Sequence, residues 1–238
     1  MKDIKKTDTA PQDIIDLHSP TAPHPASRRE KLAWAMYDFA NSGYTTVVLT
    51  TIFSAYFVAV VAGGSGGYTS GTATLLWTLA IGSANLCVLL TAPIVGAIAD
   101  HRAAKKRFLL ITTVGCATAT ALLALVGPGD VALGMILLVI SAIMFASGEN
   151  LISAFLPEIV PVRKMGRMSG YGWSLGYLGG LMTLGFCLAY ITWAQQQGQA
   201  ENQFVPVTML FTAGVFALAT VVVLSAVKQQ YWSKKSVR

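Results

Sequence analysis

Charged residues are scarce in this sequence. Asp, Glu, Lys and Arg make up 12% of its 238 residues, whereas hydrophobic residues make up 54%. A typical soluble domain carries roughly 25% charged residues, which keep its surface solvated. The shortage of charge therefore excludes an ordinary soluble domain and indicates an integral membrane protein.

Side chains that usually perform enzyme chemistry are also few. The chain has three histidines, all outside its apolar runs, and three cysteines, all inside them and at no metal-ligand spacing. The apolar runs offer no Ser/His/Asp or Cys/His arrangement, and the sequence has no paired aspartate motif and no glycine-rich phosphate loop. We therefore expect no enzyme, no metal site, no organic cofactor and no ATP-driven transport.

Long apolar runs are what the sequence does contain. An α-helix rises ~1.5 Å per residue, so about 20 apolar residues cross a bilayer. Six runs reach or approach that length, and we name them span one to span six in chain order. The predicted spans lie at residues 33–61, 76–99, 108–126, 131–156, 169–194 and 204–227. The sequence thus predicts an all-α integral membrane protein with six transmembrane helices.

The basic residues predict the orientation of these spans. All 17 Lys and Arg residues lie before span one, between spans two and three, between spans four and five, or after span six. Under the positive-inside rule this distribution places both termini in the cytoplasm. The net charge of +6 is then a signature of membrane topology, and we expect no nucleic-acid partner. All five tryptophans fall near predicted span ends, as expected for interfacial anchors.

The spans divide the chain into three regions. Residues 1–31 are polar, contain four prolines and lack the apolar core of a signal peptide, so we predict a disordered cytoplasmic tail. Residues 32–227 form the six-helix transmembrane bundle. Residues 228–238 begin a cytoplasmic linker or tail.

Span one carries polar side chains inside its first turns. Asp38, Asn41, Ser42 and Thr45 fall on one face of a helix. A polar group in hydrocarbon is costly unless it faces a protein interior or a water-filled cavity. We therefore predict that this stripe lines a central cavity, with Asp38 and Asn41 contacting a substrate or a coupled proton.

Two further polar residues lie deep in predicted spans. Glu149 is in the second half of span four, and Asn85 is at the middle of span two. Glu149 either pairs with a polar group on a neighbouring helix or contacts the substrate or the coupled proton. Asn85 has the same two interpretations, because a lone amide often hydrogen-bonds an adjacent helix. We include both residues in the predicted substrate or proton site.

The end of span two predicts a cytoplasmic gate. Gly96 and Asp100 are four residues apart and share a helix face, and Arg102 opens a run of basic residues. The glycine would let a neighbouring helix come close, and the carboxylate would form a salt bridge or cap the positive end of that helix. Alternatively, the basic run only fixes the topology.

Span five contains a repeated small-residue pattern. Gly172, Gly176 and Gly180 form two overlapping small-xxx-small steps, which allow close helix packing in lipid. This face needs a partner helix. The partner lies either within the six-helix bundle or in a second bundle.

Three stretches resemble known transporter signatures. Gly96, Asp100 and the basic run resemble the loop between spans two and three of the major facilitator superfamily. The opening of span one resembles the vacuole-effluxer-like branch of that superfamily, whose fungal members include autophagy-related amino-acid effluxers, through Trp34, Tyr37, Asp38, Ala40, Asn41 and Ser42. The third stretch matches the same branch at Leu156, Pro157, Glu158, Gly166, Arg167, Ser169, Gly172, Gly176, Tyr177 and Gly179.

The resemblance implies a secondary transporter of a small solute, with amino acids as the inferred cargo and a proton as the inferred coupling ion. Members of this branch have twelve spans, and this chain resembles the N-terminal six. A homodimer or a separately encoded second half would complete the cavity. The alternative is a non-transporting membrane subunit or an inactive, truncated half-transporter. We expect the plasma (inner) membrane of a bacterium rather than a vacuolar membrane.

Overall fold

The structure is a computed structural model that describes residues 27–101 and 104–226. Every regular element in these two ranges is helical. Most of the predicted N-terminal tail, Arg102 and residues 228–238 lie outside the described residues.

Six helices are long and apolar enough to cross a membrane, which confirms the predicted all-α membrane fold. The observed spans are Arg28–Ala62, Ser70–His101, Lys105–Leu122, Val131–Ser153, Val162–Gln196 and Glu201–Ala226. Span three continues as a 3-10 turn, Leu123–Leu125, and span four is followed by a short helix, Leu156–Ile159.

Several helices begin earlier than predicted. Span one starts at Arg28 because Ser27 and Glu30 form a capping box, in which the Ser27 hydroxyl accepts from the Glu30 amide. Span two begins at Ser70 and span five at Val162, six and seven residues before the predicted starts at 76 and 169. Hydropathy marks only the part of a helix that suits hydrocarbon, whereas helical hydrogen bonds continue through polar ends.

Span one is the central helix of the bundle. Its largest side chains, including Tyr37, Tyr44, Phe53 and Phe57, are almost fully buried. Aromatic polar atoms fix it to spans three and four and to the loop between them. These bonds are Trp34 Nε1 to the Ile152 carbonyl at 2.9 Å, Tyr37 with Thr113 at 3.2 Å, Tyr44 with Ser141 at 2.8 Å, and Tyr56 to the Val126 carbonyl at 3.1 Å.

Two π-helical stretches interrupt span one, at Thr45–Thr51 and Phe57–Ala62. In the first stretch, the Thr50 hydroxyl donates to the carbonyls of Thr45 and Thr46, and the Thr51 hydroxyl also donates to Thr46. Such wide turns are rare and occur often at functional sites. The threonine hydroxyls thus give the carbonyls of the widened turns a side-chain donor.

The glycine face of span five packs against the polar side of span one. A Cβ atom added at Gly176 would lie 2.7 Å from the Ser42 hydroxyl oxygen, and one at Gly180 would lie 2.8 Å from that of Thr46. A Cβ at Gly172 would lie 2.9 Å from the Trp34 ring. The partner of this face is therefore span one of the same bundle.

The closest approach of these two helices provides a stability test. A Cβ at Gly179 would overlap the backbone carbonyl oxygen of Phe39, whereas one at Gly185, on the same helix, would meet nothing within 4 Å. We expect Gly179→Ala to lower stability by about 1–3 kcal/mol through overpacking. Gly185→Ala is the control and should be neutral or slightly stabilising. Thermal unfolding in detergent measures both, and equal melting temperatures would contradict the packing.

Candidate functional site

A cavity of about 450 Å³ opens beside span one and is lined by residues of spans one, four and five. This volume is in the range of small-molecule binding sites. Polar, aromatic and aliphatic residues share its wall. The lining residues are Asp38, Ser42, Thr45, Thr46, Glu149, Trp173, Gly176, Tyr177, Gly180, Leu181 and Leu184.

The glycine face of span five determines the surroundings of Asp38. The Asp38 Oδ2 atom lies 3.1 Å from the place a Cβ would occupy at Gly176 and 3.4 Å from that place at Gly172. Larger residues at these two positions would press on the carboxylate or displace it. The small residues therefore leave the half-buried carboxylate room at the cavity wall.

Glu149 reaches the same cavity from span four. The preceding residue, Gly148, is buried against span one, and a Cβ there would lie 2.6 Å from the Tyr37 hydroxyl oxygen. This close contact turns Glu149 to the exposed side of span four, where it lines the cavity. The structure thus brings two predicted residues, Asp38 and Glu149, to one site.

Two aromatic residues of the wall, Trp173 and Tyr177, were not predicted as site residues. They are one turn apart on span five, with ring centroids 5.9 Å apart in an edge-to-face arrangement, and they are 65% and 72% exposed. Trp173 also does not lie at a helix end, because span five begins eleven residues before it at Val162. The i, i+4 aromatic pair beside the glycine face was the available signal.

Asn41 does not line the cavity, contrary to prediction. It is only 3% exposed, and its Oδ1 atom has no hydrogen-bond partner in the described part of the chain. At 3.6 residues per turn, Asn41 lies about 60° from Asp38 around the helix, while Ser42 lies about 40° away on the opposite side. Asn41 consequently lies on the same buried side of span one as Tyr37 and Tyr44.

Asn85 is also absent from the cavity wall. It lies on the exposed side of span two, and span two contributes no described residue to the lining. Within the described ranges its side chain makes no hydrogen bond with a neighbouring helix. Neither of its predicted roles is therefore fulfilled by this six-helix bundle alone.

The structure describes only part of the predicted cytoplasmic gate. Gly96 lines a second cavity of about 120 Å³ between spans two and four, together with Lys105 and Asn150. A Cβ at Gly96 would meet no described atom within 4 Å, so none of the described helices packs closely there. The side chain of Asp100 and all of Arg102 lie outside the described residues.

An ion pair not predicted from the sequence lies near this second cavity. Lys105 Nζ, at the start of span three, lies 2.8 Å from Glu158 Oε1 in the short helix after span four. The two side chains are 16% and 22% exposed. The pair connects the start of span three to the short helix after span four, and its partial burial reduces the screening of the two charges by solvent.

Labelling would test which side of span one faces the cavity. In a background without native cysteines, we expect Ser42→Cys to react with a water-soluble thiosulfonate reagent, because Ser42 lines the cavity. Asn41→Cys is the adjacent control and should be protected, because Asn41 is buried. Protein unfolded in detergent should label at both positions. Faster native labelling at position 41 than at 42 would reverse the assignment.

Comparison with known proteins agrees with this architecture. The model of the family described as "Vacuole effluxer Atg22 like" matches residues 26–166, more than half of the chain. A relative from Bacillus subtilis (strain 168), the uncharacterized MFS-type transporter YxiO, is 30% identical over 212 residues, which cover 87% of this chain and 48% of the relative. The chain thus spans about half the length of that curated relative. No solved structure matches the chain at a significant level. The chain belongs to the vacuole effluxer Atg22-like family of the major facilitator superfamily.

Proposed function

We propose that this chain forms one wall of the solute pathway in a secondary active transporter. The proposal rests on the cavity beside span one. Two membrane-embedded carboxylates, Asp38 and Glu149, line this cavity. Ionisable groups within membrane spans are expensive and commonly mark substrate or ion pathways. The family match and the name of the Bacillus relative support the same class of function.

The transport mechanism we propose is alternating access. In such transporters, the solute binds near the bilayer midplane between two helical units that rock around it. Span one supplies the fixed wall, because its aromatic side chains bind it to spans three and four. The cavity on its other side is then exposed to one compartment at a time.

The two carboxylates are suited to couple this movement to a proton. Protonation neutralises a carboxylate and removes the cost of enclosing its charge in a closed cavity. Asp38 or Glu149 would accept a proton in one orientation of the bundle and release it in the other. The proposed cargo is a small solute, with amino acids inferred from the family resemblance.

A second six-span unit completes the proposed pathway. Glu149 lies on the exposed side of span four, and Trp173 and Tyr177 are exposed by 65% and 72%. The amide of Asn85 also lacks a partner within the described helices, although a polar group in hydrocarbon needs one. Either a second copy of this chain or a separate chain would cover these groups.

We further propose a bacterial plasma membrane as the location, which the Bacillus relative supports. The basic residues at the starts of spans one, three and five, among them Arg28, Lys105 and Arg163, would then face the cytoplasm.

Transport assays with Asp38→Asn test this function directly. In membrane vesicles from cells that express the chain, we expect the variant to abolish the uptake or efflux of a labelled amino acid. The reason is that the asparagine side chain, an amide, cannot bind and release the coupled proton as a carboxylate can. Asp130→Asn is the matched control, because Asp130 lies in the loop before span four and caps the Gly127 amide, a role an amide oxygen can fill.

Flux must be compared at equal amounts of folded protein, judged by monodisperse elution in detergent. Unchanged flux in Asp38→Asn would remove this carboxylate from the mechanism. The absence of any flux above that of vesicles lacking the chain would favour a non-transporting subunit.

Crosslinking at span two tests the second unit. In a background without native cysteines, we expect Asn85→Cys to form a crosslinked product in native membranes, either at twice the mass of the chain or with a separate protein. Ala84→Cys is the neighbouring control and should remain monomeric, because Ala84 is only 1% exposed. Active transport without any product from Asn85→Cys would contradict docking at this face.

A further inference from the structure

We propose that the cavity recognises a cationic ammonium group, so that the cargo is a small organic amine. This inference rests on the proposed transport function, but it replaces the amino acids inferred from the family resemblance with a substrate class that the described wall itself favours. The proposal rests on one juxtaposition: two carboxylates and an exposed aromatic pair line the same cavity.

The charge of the wall is of one sign. Among the described residues, its lining contains Asp38 and Glu149 and no Lys, Arg or His. Arg167 lies on span five but donates to the hydroxyl of Tyr171, from Nε at 3.0 Å and from Nη2 at 2.9 Å, and neither residue lines the cavity. A solute carboxylate would meet like charge at this wall and find no basic partner among its described residues, whereas an ammonium group compensates the charge of the wall.

The hydroxyls of the wall also favour a hydrogen-bond donor. The Thr45 hydroxyl donates its own proton to the Asn41 carbonyl at 3.1 Å, so its lone pairs remain free to accept. Ser42 and Thr46 present two further hydroxyl oxygens. A primary ammonium carries three donors and no acceptor, which complements carboxylates and hydroxyls of this kind.

The aromatic pair supplies a second kind of recognition. The faces of Trp and Tyr attract a cation held within about 6 Å of the ring. Trp173 and Tyr177 line the cavity, are exposed over most of their surface and meet edge to face, so their rings point in different directions. A cation between the carboxylates and these rings would be held from two sides.

The remaining wall suits the carbon skeleton of an organic ion. Leu181 and Leu184 line the cavity with the glycines of span five, and such a surface would not replace the water ligands of an inorganic ion. In the described part of the chain, no group of three or more His, Cys, Asp or Glu side chains could hold a metal ion. An organic amine could place its alkyl chain against the leucines and its ammonium group at the carboxylates.

Binding of three matched five-carbon compounds tests the inference. The full chain in lipid nanodiscs would be titrated calorimetrically with 1,5-diaminopentane, 1,5-pentanediol and glutarate, which share a five-carbon chain and carry cationic, neutral and anionic end groups. We expect the diamine to bind at least tenfold more tightly than the diol or the diacid. Equal affinities for the three compounds, or no binding of the diamine, would overturn the proposal.

Variants locate the binding site. We expect Asp38→Asn and Glu149→Gln each to weaken diamine binding at least tenfold, and Trp173→Leu to weaken it several-fold. The controls are Asp130→Asn and Trp193→Leu, because Trp193 forms a similar aromatic pair with Tyr190 on the same span but does not line the cavity. Equal effects of site and control variants would overturn the assignment.

Flux measurements separate this inference from the proposed function. Asp38-dependent transport of neutral or anionic solutes by a chain that does not bind the diamine would overturn the ammonium site and leave the transporter intact. Diamine binding that depends on Asp38 and Glu149, without flux of any solute, would support the site and contradict transport.

Discussion

The close packing of span five on span one is the contact on which the rest of the site depends. Lipid provides no hydrophobic force between helices, so their association depends on how closely their backbones approach. Gly172, Gly176 and Gly180 permit that approach against Trp34, Ser42 and Thr46. The same absent side chains leave space beside Asp38. One sequence feature thus stabilises the bundle and keeps a membrane-embedded carboxylate accessible.

Span one has two chemically different sides, and this difference explains how a polar site can exist in a stable bundle. On one side, Trp34, Tyr37 and Tyr44 combine large buried rings with hydrogen bonds to spans three and four. Those bonds satisfy every aromatic polar atom that this side encloses. On the other side, short polar residues meet glycines and leave an opening. The rigid side holds the open side in place, which the proposed role as a transporter wall requires.

The sequence predicted the six spans because each contains enough apolar residues to cross a bilayer, but it did not predict where the helices begin. Asp38 and Glu149 were recognisable because carboxylates are rare within spans. The prediction for Asn41 was wrong because each residue turns a helix by about 100°, so a residue at the edge of a polar stripe can lie on the buried side of the helix. Trp173 and Tyr177 were missed because aromatic residues suit lipid interfaces as well as binding sites. Only the packing of spans one and five distinguishes these roles.

The two proposals for the cavity lead to one consequence for coupling. A proton and an ammonium group would use the same carboxylates, Asp38 and Glu149. A carboxylate that has bound a proton no longer attracts a cation, and a bound ammonium disfavours protonation, so each ligand lowers the affinity for the other by the same factor. Mutual exclusion at one site is what an exchanger needs, since each orientation change then carries one cation or the other. Exchange of an organic amine for protons would therefore follow from the chemistry of the wall, without a separate coupling site.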